Sequence, residues 1–467
     1  MDIIKDLFDI WKRKRNLVDF ETGAVQVMYE WMGQAVGRML TEMNRALTRL
    51  KQNEGWKVER TDERRLQFLF GPVTFSHTLM IAPNHQRLYP LDRLMKWRKG
   101  SRYSPYVELK AAELAGRMPY RQVVETLETW TPIKMSHSTV MASVRRVGAA
   151  QGQMDEALVE KDKAGTLMSE GRMVTHLMTE ADGTYVRGMQ KKAHIEIKHL
   201  ITYEGWEQNG KRRRLVNPYA VMTAKNVNDF WDQATAVAES RYDLTHTQVV
   251  ANSDGGSGYG EERFKEAFSG SRQPLFVQLD DFHVAQALTR ALHGDKDWLK
   301  AAKKAVRDKQ EETLVTILDT YESQLENDKQ IQKVADVKKY LMNHWSRLFD
   351  WRDKDKQAPK IAGKLGAMES NQRHLTFRMK KRGMHWGGSV EAMVKVIQGC
   401  QNGTLQAAYL ASLELGERAM RRVTKTMRIA TLLRSQTRPS VGVHLGRIAG
   451  YTSALSSVGH LNKILTS

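Results

Sequence analysis

Apolar positions change period several times along the chain, and each change marks an element. From Gly23 to Lys51, the residues Tyr29, Met32, Val36, Met39, Met43, Ala46 and Leu50 recur at alternating three- and four-residue steps. That is a heptad seam over about three repeats. It predicts one long helix, packed inside its own chain or against a second copy. Between residues 56 and 82 the period shortens, and Arg64 to Phe70 and Val73 to Ile81 read as a hairpin around Gly71-Pro72. Residues 105–147 return to helical spacing: Val107 to Arg117, Tyr120 to Thr129, and a third helix capped by Ser136 and ending at Val147, before Gly148. Residues 151–170 are polar without a period and read as a linker.

Beyond the linker the pattern alternates between strand and helix. Val174 to Val186 and His194 to Tyr203 are expected strands, the second with Ile195, Ile197, His199, Ile201 and Tyr203 on one face. A basic tip, Lys211, Arg212, Arg213 and Arg214, leads to a third strand from Leu215 to Thr223. A helix from Asn228 to Arg241, a strand from Thr247 to Ala251, a helix from Glu261 to Phe268 and a strand from Pro274 to Leu279 follow. Residues 284–350 carry apolar side chains only at helical intervals, another helix is expected from Gly366 to Lys381, and residues 404–434 read as a basic helix. The chain therefore divides at 1–55 (heptad segment), 56–98 (hairpin), 99–150 (three short helices), 171–285 (first part of an α/β domain), 286–358 (all-α insertion), 359–400 (a last helical part of the domain) and 401–467 (basic helical region). The fold class is mixed: an α-helical N-terminal DNA-binding region plus an α/β domain interrupted by an all-α insertion.

Composition sharpens this picture. The 467 residues carry 73 Lys plus Arg against 53 Asp plus Glu, a net charge of +20. A positive excess of that size calls for a polyanionic partner, with nucleic acid first and an anionic membrane surface second. Double-stranded DNA is the expected partner. No apolar run reaches the roughly 20 residues of a membrane span, and Met1-Asp2-Ile3-Ile4-Lys5-Asp6 does not open a signal peptide. The single cysteine, Cys400, excludes a disulfide framework and a cysteine-rich zinc module, and fits a reducing compartment.

Several basic features suit a DNA track. The third short helix presents Ser138, Thr139, Arg145 and Arg146, as a helix-turn-helix reader would, although a plain three-helix bundle accounts for the same pattern. Arg378, Lys380 and Lys381 close the helix near 370, and Arg418, Arg421, Arg422, Lys425 and Arg428 share one face of the last helix. Phosphate contacts of this kind carry no sequence information by themselves.

Three carboxylates stand out by position. Asp182 falls on the first α/β strand, Asp254 directly follows the fourth, and Glu369 lies on the late helix. Each has a dull explanation alone, since Asp-Gly is a turn dipeptide and a helical Glu is usually solvated. Together they fit phosphodiester chemistry, in which two divalent ions about 3.5–4 Å apart serve an in-line displacement. Nucleotide hydrolysis is excluded by the absence of a phosphate-loop motif, and H-E-x-x-H and G-x-S-x-G are absent too.

The segments Glu180-Ala181-Asp182-Gly183-Thr184, Ser253-Asp254-Gly255-Gly256 and Met368-Glu369-Ser370-Asn371-Gln372-Arg373 resemble bacterial insertion-sequence DDE transposases of the ISLre type, kin of the Mutator group. Asp280-Asp281-Phe282-His283 is similar to that group's Cys/Asp-x-x-His signature, and Thr376 to Trp386 to its stretch after the Glu. The resemblance implies an RNase H-like catalytic domain, with Asp182, Asp254 and Glu369 catalytic as ligands of Mg²⁺ or Mn²⁺. It implies hydrolysis at the element's ends and joining of the freed 3′-hydroxyl to target DNA. A homodimer or higher assembly on DNA and a bacterial, nucleoid-associated cytoplasmic location follow from it. Asp280 and His283 would orient the site or hold the strand end beside the insertion, and Arg373 would bind phosphate or balance the Glu. A nuclease or recombinase without strand transfer, and a non-catalytic DNA-binding descendant, are the rival readings.

Overall fold

The computed structural model describes residues 3–428 apart from 14–15, 211, 257, 272–274, 356–357, 359–362, 381–382 and 414–416. The described chain is a mixed α/β protein in two compact units. No helix among the described residues is long and apolar enough to cross a membrane.

The first unit holds α1 (Ile3–Arg13), α2 (Leu17–Asn53), most of the hairpin β1 (Lys57–Phe68) and β2 (Gly71–Ile81), the short β3 (Arg87–Leu88), α3 (Pro90–Leu94) and the helix Glu417–Thr426. The long expected helix is present, and its heptad seam is buried only in part: Met43 and Ala46 are in the core and Tyr29, Val36 and Leu50 are half-buried. Met32 and Met39 of that seam stay exposed, whereas Gly33, Gly37, Leu40, Asn44 and Leu47 are buried. Glycine moves the contact: a Cβ on Gly37 would meet the Thr74 carbonyl oxygen at 2.5 Å, so the hairpin backbone lies directly on the helix there. Asn44 fixes the register, accepting from Thr78 N at 3.2 Å and donating to its hydroxyl at 2.8 Å.

The second unit is built on a five-stranded sheet. Before it come α4 (Pro105–Ala115), α5 (Tyr120–Trp130) and α6 (His137–Lys163). The expected helix end at Val147 and the linker after it are corrected: α6 runs without a break to Lys163. Gly148 is not a stop but a crossing point, since a Cβ there would lie 2.1 Å from the Ala392 carbonyl oxygen. The three helices do not stand apart as a separate reader. Val107, Val123, Val140, Val144 and Val147 share one hydrophobic core with Val186, Ile197, Ala220 and Met222 of the sheet.

The strands are β4 (His176–Arg187), β5 (His194–Tyr203), β6 (Trp206–Asn209), β7 (Arg212–Leu215) and β8 (Tyr219–Thr223). They are followed by α7 (Val227–Arg241), β9 (Gln248–Ser253), α8 (Glu261–Ala267) and β10 (Phe276–Leu279). The expected third strand from Leu215 to Thr223 is split. Leu215 ends the small β6–β7 ribbon, and Asn217, at φ 47°, with Pro218 turns the chain before β8. The sheet order is β10-β9-β4-β5-β8, with β5 antiparallel to both neighbours and β9 and β10 parallel to β4. α7 and α8 cover one face, burying Leu177, Ala181, Leu200, Val249 and Ala251.

An all-helical insertion follows β10: α9 (Asp281–Ala291), α10 (Lys296–Arg307), α11 (Glu311–Glu322) and α12 (Asp328–Asn343), around a core of its own that includes Leu288, Leu314, Leu318 and Leu341. The chain then returns to the sheet with α13 (Ala367–Met379), α14 (Val390–Asn402) and α15 (Leu405–Ala411). α14 closes the free edge of β8 with side chains rather than a strand. Asn402 and Gln398 accept from Ala220 N and Met222 N, both at 2.8 Å, and Glu391 accepts from Ala224 N at 2.6 Å. An open edge would otherwise offer those groups to another chain. The single basic helix expected over 404–434 is two helices among the described residues, α15 and Glu417–Thr426.

Candidate active site

Strand register assembles the site. β4 and β9 run parallel with Glu180 beside Asn252 and Ala181 beside Ser253, so the next pair in line is Asp182 and Asp254. β10 pairs Leu279 with Ser253, and Asp280 N donates to Ser253 O at 2.9 Å, which brings Asp280 to the other side of Asp254. β5 sets His199 directly opposite Asp182. Asp280, Asp254, Asp182 and His199 therefore lie in one row across four adjacent strands. Side chains two apart on a strand share a face, so Glu180 and Asn252 form a second row just behind.

Glu369 reaches the row from above. Asp182, Asp254, Asp280, His283, Glu369 and Gln372 line one cavity of about 430 Å³, with Lys364 and Lys380 also on its wall. Gln372, one helical turn after Glu369, donates to Asp182 Oδ2 at 2.8 Å. His283 Nε2 lies 3.8 Å from the same oxygen. The nearby Asp182 carboxylate raises the imidazole pKa, against a smaller opposing effect of burial. Asp254 Oδ1 accepts from Gly256 N at 2.9 Å, and Tyr340 of the insertion donates to the Asp254 carbonyl at 2.7 Å. His199 is fully buried and burial holds its pKa down to about 4, so the ring is neutral at physiological pH. Neither of its nitrogens has a hydrogen-bond partner among the described residues.

The donor set is hard carboxylate oxygen, which suits Mg²⁺ or Mn²⁺. Among the described residues no three such groups close tightly enough to hold an ion as they stand. Asp182 lies within β4 and Asp254 directly after β9, whereas the side chain of Glu369 is exposed.

Asp280 has a definite structural task. It caps α9, with Oδ1 accepting from Phe282 N at 2.8 Å and His283 N at 3.2 Å, and Oδ2 accepts from Asn252 at 2.8 Å. Sequence reading missed the residue beneath it. Glu180 is fully buried and accepts from Tyr203 Oη at 2.5 Å, Gly366 N and Ala367 N at 3.0 Å, and Met368 N at 3.1 Å. It thus caps the helix that carries Glu369. Its signal was its place two residues before Asp182, on the same face of the strand; that of Gln372 was its place three residues after Glu369.

The basic residues divide. Lys380 lines the cavity, but Arg373 is exposed and does not. Arg378 is corrected as a DNA contact. It is 3 % exposed, donates to the Ala115 carbonyl at 2.5 Å and lies over the rings of Tyr120 and Trp386. Arg146 is tied to Glu108, and the Thr139 hydroxyl is bonded to that of Ser136, while Ser138 and Arg145 are exposed. Arg213 and Arg214 are exposed beside the β6–β7 ribbon. In the first unit Arg422 pairs with Glu54 at 3.1 Å, and Arg421, Lys425 and Arg428 are exposed. Lys211, Lys381 and the side chains of Arg212 and Arg418 lie outside the described residues.

Residues 12–413 match a family described as Uncharacterised protein family (UPF0236). A UPF0236 protein in the vanSb 3′ region of Streptococcus gallolyticus is 31% identical over 410 residues, 88% of each chain. A UPF0236 protein of Caldanaerobacter subterraneus subsp. tengcongensis, whose name joins eleven locus designations, is 22% identical over 348 residues, 74% of this chain and 69% of its own. Another from that organism, whose name joins four, is 21% identical over 348 residues, 74% of this chain and 70% of its own.

Proposed function

We propose that this chain, which belongs to the uncharacterised UPF0236 family, is a DNA transposase with an RNase H-like catalytic core. The observation that carries the reading is the shared cavity. Asp182 lies on β4, Asp254 directly follows the adjacent parallel strand β9, and Glu369 lines the same cavity from a helix that follows an all-α insertion. The strand order supports an RNase H-like core: three antiparallel strands in sequence, then two parallel ones on the far side of the first. The relatives whose names join four and eleven locus designations support a mobile element, because copies of one gene scattered through a genome are what such an element leaves.

Asp182, Asp254 and Glu369 would hold Mg²⁺ or Mn²⁺ through carboxylate oxygens. Divalent ions bound there supply activation of the attacking hydroxyl and stabilisation of the leaving oxygen. The chain's own part is placement. β4 and the end of β9 place two carboxylates, α13 brings the third, and His283 stands beside Asp182. Lys364 and Lys380 set positive charge on the wall of the cavity, where phosphates would pass. Water would cut at the element's ends and the freed 3′-hydroxyl would join to target DNA, with two copies pairing two ends.

The test is purified protein with Mg²⁺ or Mn²⁺ and DNA bearing the element's end sequences. Cleavage at those ends and joining to a second duplex are expected, both lost in Asp254→Ala, which still binds DNA. Cleavage without joining favours a nuclease of the same fold, and binding without cleavage under either metal favours a non-catalytic DNA-binding protein.

A further inference from the structure

We infer that Glu180 is a positioning residue for the metal site: its buried carboxyl group holds the Glu369 helix against the strand that carries Asp182. The inference rests on the proposed metal site and names a residue of it.

Every partner of Glu180 is a donor. Besides the three amides at the start of α13 and the Tyr203 hydroxyl, Asn252 Nδ2 approaches it at 3.3 Å. A carboxylate offers about four lone-pair sites and no proton, so it can accept from all of them only through shared bonds, as Gly366 N shows by approaching both oxygens at 3.0 Å. No cation is among these partners. The negative charge is compensated by backbone N–H groups at a helix N-terminus, where such a charge is favoured. A glutamine would fit poorly, because its NH₂ would face N–H donors.

Position gives the contact its meaning. Met368 N, held by Glu180, immediately precedes Glu369, so the carboxylate fixes the first turn of α13 at the point where the third acid leaves it. On β4, Glu180 shares a face with Asp182. Through Asn252 it also joins Asp280, the cap of the helix that carries His283. One buried network thus ties together the strands under both aspartates and the first turns of both helices that complete the cavity. Glu180 itself is fully buried, so it acts through these groups and not by touching DNA.

A simple helix cap and a positioning residue differ in one measurable way. Loss of a cap lowers thermal stability alone. Loss of an outer partner of metal ligands weakens metal binding, typically by 10–100-fold. The experiment is a Mn²⁺ titration followed by paramagnetic resonance on wild type, Glu180→Gln, Tyr203→Phe and Asp254→Ala, with circular dichroism and DNA-binding anisotropy on each. Folded Glu180→Gln should bind DNA as wild type does, with the Mn²⁺ Kd raised about 10–100-fold and cleavage partly restored at higher Mn²⁺. Tyr203→Phe keeps the carboxylate and loses one donor, and a smaller rise in Kd is expected. Unchanged Mn²⁺ affinity in folded Glu180→Gln overturns the inference alone. If Glu180→Gln does not fold, Tyr203→Phe decides: a raised Kd supports the inference and an unchanged one overturns it. Wild type that takes up no Mn²⁺ at all, matching Asp254→Ala, sinks the metal-site reading and this inference with it.

Discussion

Two glycines of α6, four residues apart, should respond to alanine in opposite directions. Within a helix interior, Gly→Ala normally gains about 1 kcal/mol. Gly152 should follow that rule, because a Cβ there meets nothing closer than Lys395 Cγ at 4.0 Å. Gly148 should not. Its Cβ would stand 2.1 Å from the Ala392 carbonyl oxygen, 2.7 Å from the carbonyl carbon and 2.8 Å from the Cα. All three are backbone atoms of α14, so no rotamer change relieves the clash. A carbon–oxygen contact closes at about 3.3 Å, so α6 and α14 must part by roughly 1 Å along a closely packed seam. Overpacking of this kind costs about 1–3 kcal/mol or more, enough to cancel the propensity gain and reverse its sign. Parting the helices also loads the bonds from Gln398 and Asn402 that close the edge of β8. Urea denaturation provides the assay, with the midpoint falling for Gly148→Ala and rising for Gly152→Ala at unchanged slope. If Gly148→Ala matches or exceeds wild type, the close crossing is wrong, and with it the account of why α6 continues past this glycine.

Arg378→Ala should cost on the order of 3 kcal/mol in a thermal or urea melt, because a buried guanidinium loses charged hydrogen bonds and its aromatic contacts. The same variant should leave the salt dependence of DNA binding unchanged, whereas a slope smaller by about 0.9 would restore Arg378 as a phosphate contact. Glu239, on α7, has its pKa raised to about 7, first by burial and then by the neighbouring Asp162 carboxylate. A carboxyl whose folded pKa is raised lends stability fully present below its unfolded pKa of 4.5 and lost as pH rises through 7. Glu239→Gln should therefore flatten the fall in melting temperature between pH 5 and 8, and an unchanged profile would refute the assignment.

The sequence displayed what hydrophobic periodicity encodes and concealed what backbone proximity decides. The strands of the sheet and the helices of the insertion were legible because their apolar residues repeat at 2 and 3.6. Gly148 misled because glycine has two uses, ending a helix or letting another backbone approach, and only the tertiary partner tells them apart. Gly33 and Gly37 likewise admit the hairpin backbone against α2, and Met32 and Met39 of the heptad seam stay exposed. Arg378 looked like part of a basic run, yet its neighbours in space are Ala115, Tyr120 and Trp386. Asp182, Asp254 and Glu369 could be chosen by their place relative to strands and helix, whereas the residues that hold them could not. Glu180 is an unremarkable letter until α13 returns, far along the chain, to lay its amide groups on it.

The two ways of holding an acid have different mechanical consequences. Asp182 is held within β4 and Asp254 by its place directly after β9, and a one-residue slip of β9 against β4 would turn Asp254 away from the cavity. Glu369 is located by its helix alone, and its side chain is free in solvent. Asp182 Oδ2, meanwhile, is already engaged by Gln372 from that same helix. A cation entering the cavity would have to compete with the Gln372 amide for this oxygen while drawing Glu369 inward. Both changes occur on one face of α13, whose first turn is held by Glu180. On the proposed reading, an ion could be held only once both side chains had moved on that anchored helix.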